Sequence, residues 1–118
     1  SKLLNTNQFK ELTTFVAMQD EGKYKAGDYI NDDINKNVPL GYGLGIVAMY
    51  IAMPDGKNAI VYNHSGEIQG FKSQWGYVKD KNASFVVAIN STHPDASHIL
   101  NKLVNTSVEK IFTDCLIQ

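Results

Sequence analysis

The chain contains no arginine: all 11 of its basic residues are lysines, set against 12 acids for a formal net charge of -1. Without a guanidinium, the planar two-pronged grip on a carboxylate or phosphate is unavailable. Anion recognition then falls to His, Lys, hydroxyls or backbone N–H groups. A near-neutral chain also lacks the basic footprint of a nucleic-acid or anionic-membrane binder, so no nucleic-acid partner is expected. The lone Cys115 permits no internal disulfide and says little about compartment. No apolar run approaches the roughly 20 residues of a spanning helix. The longest, Tyr42 to Met53, is cut off by Pro54-Asp55-Gly56. The first residue is Ser1, and no basic-then-apolar leader follows it, so a processed chain or a fragment of something longer is expected.

What is present suits one domain. The 118 residues are 43% hydrophobic, which excludes disorder and supports a single core. Phe9, Leu12, Phe15, Val16 and Met18 recur on one stripe and predict a helix over residues 7–20, capped by Asn7 and stopped near Gly22. A polar loop over 23–40 follows. Strands are expected over 42–53, 59–64, 70–79 and 84–90, with turns at Pro54-Asp55-Gly56-Lys57 and Asp80-Lys81-Asn82-Ala83. A closing helix over 95–113 carries Ile99, Leu100, Leu103, Val104, Val108, Ile111 and Phe112, with Asp95 favourably placed in its first turn. The expected fold class is α+β: an antiparallel meander of about four strands flanked by an N-terminal and a C-terminal helix.

The stretch Tyr62-Asn63-His64-Ser65-Gly66-Glu67-Ile68-Gln69-Gly70-Phe71 is the most informative. A strand runs into His-Ser-Gly, and a second glycine follows four residues later, before the next strand. This resembles the third motif of the serine β-lactamase and D-alanyl-D-alanine carboxypeptidase (penicillin-binding protein) superfamily in its His-(Ser/Thr)-Gly form. Tyr42-Gly43-Leu44-Gly45, Gly70-Phe71, Ser73, the strand ending at Asn90 and the long last helix resemble the same family in the same order. The likeness spans about Asn5 to Leu116. It implies the C-terminal part of a β-lactamase/transpeptidase-like fold, with no cofactor and no metal.

The resemblance also implies roles. The Ser65 hydroxyl would donate to a substrate carboxylate. His64, where relatives often carry Lys, would influence proton transfer. Gly66 would let the acyl group and the nucleophile's helix approach. The backbone N–H of Glu67 would be one of two oxyanion-hole donors, typically worth about 3 kcal/mol. Since side chains alternate along a strand, His64 and Ser65 can serve one ligand only if their strand borders a cleft.

The family's earlier motifs are not matched convincingly. Ser107-Val108-Glu109-Lys110 has the Ser-x-x-Lys form, but it lies within the last helix and follows the third motif. Composition alone yields about 0.65 such strings by chance. Tyr29-Ile30-Asn31 has the Tyr-x-Asn form only 35 residues before His64 and reads as loop. Acyl transfer needs a nucleophile and base within reach of the oxyanion hole. The expected function is therefore the C-terminal part of a serine acyl hydrolase, inert alone, whose nucleophile belongs to a missing N-terminal part of the same protein. The implied substrates are a D-alanyl peptide, a β-lactam or an ester, and the implied location is periplasmic or extracellular. The alternative is a self-contained, non-catalytic α+β binding module using a meander edge or the Asp-rich loop. Other clusters read as structural: His93, Asp95 and His98 as a helix-cap region, Trp75 and Tyr77 as sheet packing, and Asp28, Asp32 and Asp33 as loop acids without calcium-loop spacing.

Overall fold

The computed structural model describes residues 3–30, 40–91 and 93–114. It is an α+β fold built on one six-stranded antiparallel sheet whose strand order follows the chain: β1 (Val16–Ala17), β2 (Gly41–Tyr42), β3 (Val47–Ala52), β4 (Asn58–Ile68), β5 (Phe71–Val78) and β6 (Ala83–Ile89). A short helix α1 (Thr6–Leu12) precedes the sheet, and a long helix α2 (Ala96–Asp114) closes it. The α+β class with its antiparallel meander and terminal helices is as expected; the sheet has six strands instead of about four.

Both additional strands have local causes. The expected helix over 7–20 ends at Leu12, and its cap is Asn5, not Asn7. Asn5 Oδ1 accepts from the Gln8 N–H and the Gln8 side chain accepts in return from the Asn5 N–H, a closed capping box. At the other end the Thr13 and Thr14 hydroxyls donate back to the Phe9 and Lys10 carbonyls. Such back-bonding β-branched residues disfavour further turns. Phe15 then turns into the sheet, and Val16–Ala17 pairs with β2. Gly22 lies in a later turn with φ 58°, not at the helix end. The second addition comes from the apolar run over 42–53, which breaks into β2 and β3. The Gly43 N–H donates to the Ile46 carbonyl at 2.7 Å, and Gly45 takes φ 75°. A Cβ at Gly43 would collide with the Leu12 carbonyl oxygen and the Phe15 ring, so the turn seats against the end of α1. The Pro54-Asp55-Gly56-Lys57 turn forms as expected, with Gly56 at φ 80° and Asp55 Oδ1 accepting from the Lys57 N–H. At the next turn, Asn82 takes the left-handed conformation after a 3-10 turn over Lys79–Lys81. Asn31, Asp32, Asp33, Cys115 and the second half of the 23–40 loop, residues 31–39, lie outside the described residues.

Two cores sit on the two faces of the sheet. On one, α2 lays Val104, Val108 and Ile111 across Ile51, Ala59, Val61, Val78 and Phe85. The Ser107 hydroxyl donates to the Leu103 carbonyl beside the fully buried Val108, so Ser107-Val108-Glu109-Lys110 lies inside the helix. On the other face, Phe15 packs on Ala48, Ile60 and Tyr62, with Tyr77 at the border. Burial raises the Tyr62 phenol above its ordinary 10.0, with smaller contributions from Tyr77 and Asp80. The folded chain thus holds a proton that the unfolded chain releases first, and stability must fall as pH rises above 10. Urea midpoints measured at rising alkaline pH should fall less steeply for Tyr62→Phe than for the wild type. Equal slopes would place the alkaline loss elsewhere.

Candidate functional site

The meander positions the His-Ser-Gly segment through unequal strand lengths. β4 has 11 residues and β3 six, and their pairing ends at Val47↔Asn63. Residues 64–68 continue as strand, held by β5 alone through His64↔Trp75, Ser65↔Gln74, Gly66↔Ser73, Glu67↔Lys72 and Ile68↔Phe71. The strand expected to stop at 64 therefore extends to Ile68. Polar residues that read as a turn are strand because β5 supplies a matching partner for each. On the side where β3 has ended, alternate backbone N–H and C=O groups of 64–68 have no strand partner among the described residues. The sheet thus carries an internal step: a free edge five residues long at the motif.

A buried amide pair anchors that step. Asn63 Nδ2 donates to the Val47 carbonyl at 3.2 Å, and Gln74 Nε2 donates to Asn63 Oδ1 at 3.1 Å. Both side chains are buried. The last paired residue of β3 is thereby tied to β4 and, through Gln74, to β5.

From Asn63 onward the side chains divide between the two faces. His64 Nδ1 lies 2.6 Å from the Ser65 carbonyl oxygen, which can only accept, so Nδ1 carries the proton. Nε2 is then directed at the Tyr42 hydroxyl, 3.4 Å away, with the two rings edge to face. Ser65 projects to the opposite face. With Gly66, Glu67, Lys72, Gln74, Ser97, Leu100 and Asn101 it lines a cavity of about 200 Å³ beneath the start of α2. Glu67 and Lys72 form an ion pair of 2.8 Å across the strands. At Gly66 an added Cβ would meet only the Ser73 hydroxyl, at 3.1 Å, so the space beside the glycine is open.

The four expected site residues are therefore consecutive on one exposed strand, with His64 and Ser65 on opposite faces. Any ligand common to both must lie along the edge between them. The chain matches no family model, no curated protein and no solved structure. What the site can do is read from its own geometry.

Sequence reasoning passed over Tyr42 as a neighbour of His64, and over Lys72, Gln74, Ser97 and Asn101 as cavity walls. A signal for two of these was present. The two-residue turn Gln69-Gly70 fixes the hairpin register, which places Lys72 opposite Glu67 and Gln74 opposite Ser65. The remaining candidates lie away from this cavity. His93 Nδ1 accepts from the Asp95 N–H at 3.2 Å just ahead of α2, and His98 is exposed. The Ile99 N–H donates to the Asp95 carbonyl, which makes Asp95 the residue that caps α2, one position before its first turn. Asp28 Oδ2 accepts from the Lys25 N–H within a turn, and Tyr29 is exposed beside Val16. Tyr77 donates to Asn82 Oδ1 at 2.9 Å and packs at the border of the second core, while Trp75 lies on the same sheet face at 40% exposure. No group of three or more metal-ligating side chains occurs among the described residues.

Proposed function

We propose that this chain is the C-terminal part of a serine β-lactamase-like acyl hydrolase, and that it supplies the wall of the cleft along which an extended substrate lies. The observation that carries this reading is the free edge at residues 64–68. An extended acyl peptide or β-lactam pairs with such an edge through its own backbone-like amides. Ser65 then anchors a carboxylate on one side, His64 reaches the reacting region on the other, and Gly66 leaves room between them. The Glu67 N–H serves as an oxyanion donor. No described residue serves as an activated nucleophile, so the serine and its base come from an upstream part of the protein.

The surface supports the same reading. On the face opposite α2, Ile68 (70% exposed), Phe71 (54%), Trp75 and Val86 (75%) lie on adjoining strands β4, β5 and β6. Exposed apolar side chains gathered on one sheet face suit packing by further structure. Ile99 and Leu103, expected in the buried stripe of α2, are exposed as well.

Intact-mass measurement after incubation with a reactive β-lactam tests the proposal. The 118-residue chain should gain no covalent adduct. The same chain extended by its upstream coding sequence should be acylated at an upstream serine followed three residues later by Lys. An adduct on any serine of the 118 residues overturns the assignment of the nucleophile; an extended protein that is never acylated overturns the hydrolase. A self-contained interaction module is the second reading. It is favoured by β6, an uncharged outer strand of sequence ASFVVAI whose free side suits strand addition. An unreactive extended protein would favour that module.

A further inference from the structure

A second cavity, of about 470 Å³, opens where α1 meets β1 and β2. That volume falls within the roughly 300–1,000 Å³ of small-molecule sites. Strand register sets its floor. Val16 is bridged to Tyr29 on one side and paired with Tyr42 on the other, so the three side chains stand in one row on one face. Neighbouring strands run about 4.8 Å apart, which sets the two tyrosines roughly 10 Å apart with Val16 between them. A cation seated over Val16 can then lie within about 6 Å of both rings, the range in which an aromatic face attracts a positive charge.

The walls add the matching charge. Glu11, in the last turn of α1, lines the same cavity, and its carboxylate forms no ion pair among the described residues. Among those residues no lysine lines the cavity. The Leu44 N–H donates to the Leu12 carbonyl, which ties the wall at Leu44 to the end of α1 beside Glu11. The Tyr42 hydroxyl meets His64 Nε2 at 3.4 Å, so that ring is held before a guest arrives. Other polar groups of the lining are already engaged. The Thr14 hydroxyl donates to the Lys10 carbonyl, and the Gly43 carbonyl accepts from the Gly45 N–H at 3.1 Å. A primary ammonium brings three N–H groups and finds few acceptors for them here. A quaternary ammonium brings none and presents its methyl groups to Val16 and Leu44.

We propose that Tyr29, Tyr42 and Glu11 form a binding cradle for a quaternary ammonium group of the kind that choline carries. The two rings hold the cation between their faces, the Glu11 carboxylate attracts it, and Val16 with Leu44 receives its methyl groups. The cradle draws on none of Ser65, Gly66 and Glu67, and it stands whether or not the chain belongs to a hydrolase.

NMR titration of the ¹⁵N-labelled 118-residue chain at constant ionic strength tests this with three probes: choline, its uncharged carbon isostere 3,3-dimethyl-1-butanol, and n-butylammonium. Choline should give saturable shifts at the amides of Val16, Tyr29, Tyr42 and Leu44. The isostere keeps the methyl groups and lacks the charge, so it should bind at least about ten-fold more weakly. Tyr29 is 65% exposed and Glu11 is exposed, so both can be replaced without disturbing either core. Tyr29→Leu and Glu11→Gln should each weaken choline about three-fold, whereas Tyr29→Phe keeps the ring and should bind as the wild type does. Four results would each overturn the cradle: no saturable shifts with choline, an isostere bound equally well, choline binding unchanged in Tyr29→Leu, or n-butylammonium bound as tightly as choline.

Discussion

Gly76→Ala should destabilise the fold by about 2 kcal/mol, a fall in Tm of roughly 10 °C. Gly76 lies in the middle of β5, opposite Asn63 on β4 and Phe85 on β6. A Cβ there would overlap the Phe85 Cζ, stand 2.5 Å from Phe85 Cε1 and 2.9 Å from Val61 Cγ1. Two effects compete. Replacing a strand glycine by alanine relieves about 0.5–1 kcal/mol of backbone entropy. Overpacking a close-fitted core costs about 1–3 kcal/mol and can exceed that range. Phe85 and Val61 are both buried under α2 and cannot retreat without moving Val104 or Val108, so the collision wins. The mechanism is separable from a general defect in β5. Phe85→Leu alone should destabilise by opening a cavity, yet in combination with Gly76→Ala it should recover at least about 1 kcal/mol relative to additivity. Strictly additive urea-denaturation free energies would mean that the ring is not what resists the methyl group.

Gly76 also illustrates what the sequence makes legible. Within Phe71–Val78, the alternation of Phe71, Ser73, Trp75 and Tyr77 with smaller or polar residues predicts a strand, and the structure has one. The alternation does not reveal which face is covered. Trp75 and Tyr77 looked like the packed set, and Tyr77 does pack at the border of the second core, but the set covered by α2 is Gln74, Gly76 and Val78, because α2 crosses that side and only the glycine admits Phe85. The closing helix was legible almost to its ends, since Leu100, Val104, Val108 and Ile111 keep one period over its whole length. Ile99 and Leu103 share that period's flank and were not distinguishable from the buried stripe. At Thr13-Thr14-Phe15-Val16, helical and strand patterns overlap, and tertiary packing of Phe15 against Tyr62 decides for strand. At the candidate site, the order and exposure of His64 to Glu67 were readable from sequence. The step that frees their edge was not, because it depends on where β3 stops. That in turn depends on the tight turn Gly43–Ile46 seated against α1.

The stop of β3 is held by Asn63, and Asn63→Ala should therefore disturb both stability and site. The substitution removes the donor to the Val47 carbonyl and leaves the buried Gln74 amide without its acceptor. A stranded buried amide costs about 1–3 kcal/mol, and the lost hydrogen bonds about 1 kcal/mol more, so a total near 3 kcal/mol is expected. Removing both partners should hurt less than removing one: Asn63→Ala with Gln74→Met leaves no orphaned amide and fills part of the space. The double variant should thus be more stable than Asn63→Ala alone, an outcome that simple loss of packing would not produce. The site offers a second readout. Asn63 precedes His64, whose ring is fixed between the Ser65 carbonyl and the Tyr42 hydroxyl, and Tyr42 pairs with Val47. If the amide pair sets the height of the step, loosening Val47 moves Tyr42 away from His64, and long-range ¹H–¹⁵N spectra of the ring lose the preference for the Nδ1–H form. Retention of that preference in Asn63→Ala, with stability reduced, would show that the Asn63–Gln74 pair stabilises the sheet without positioning His64.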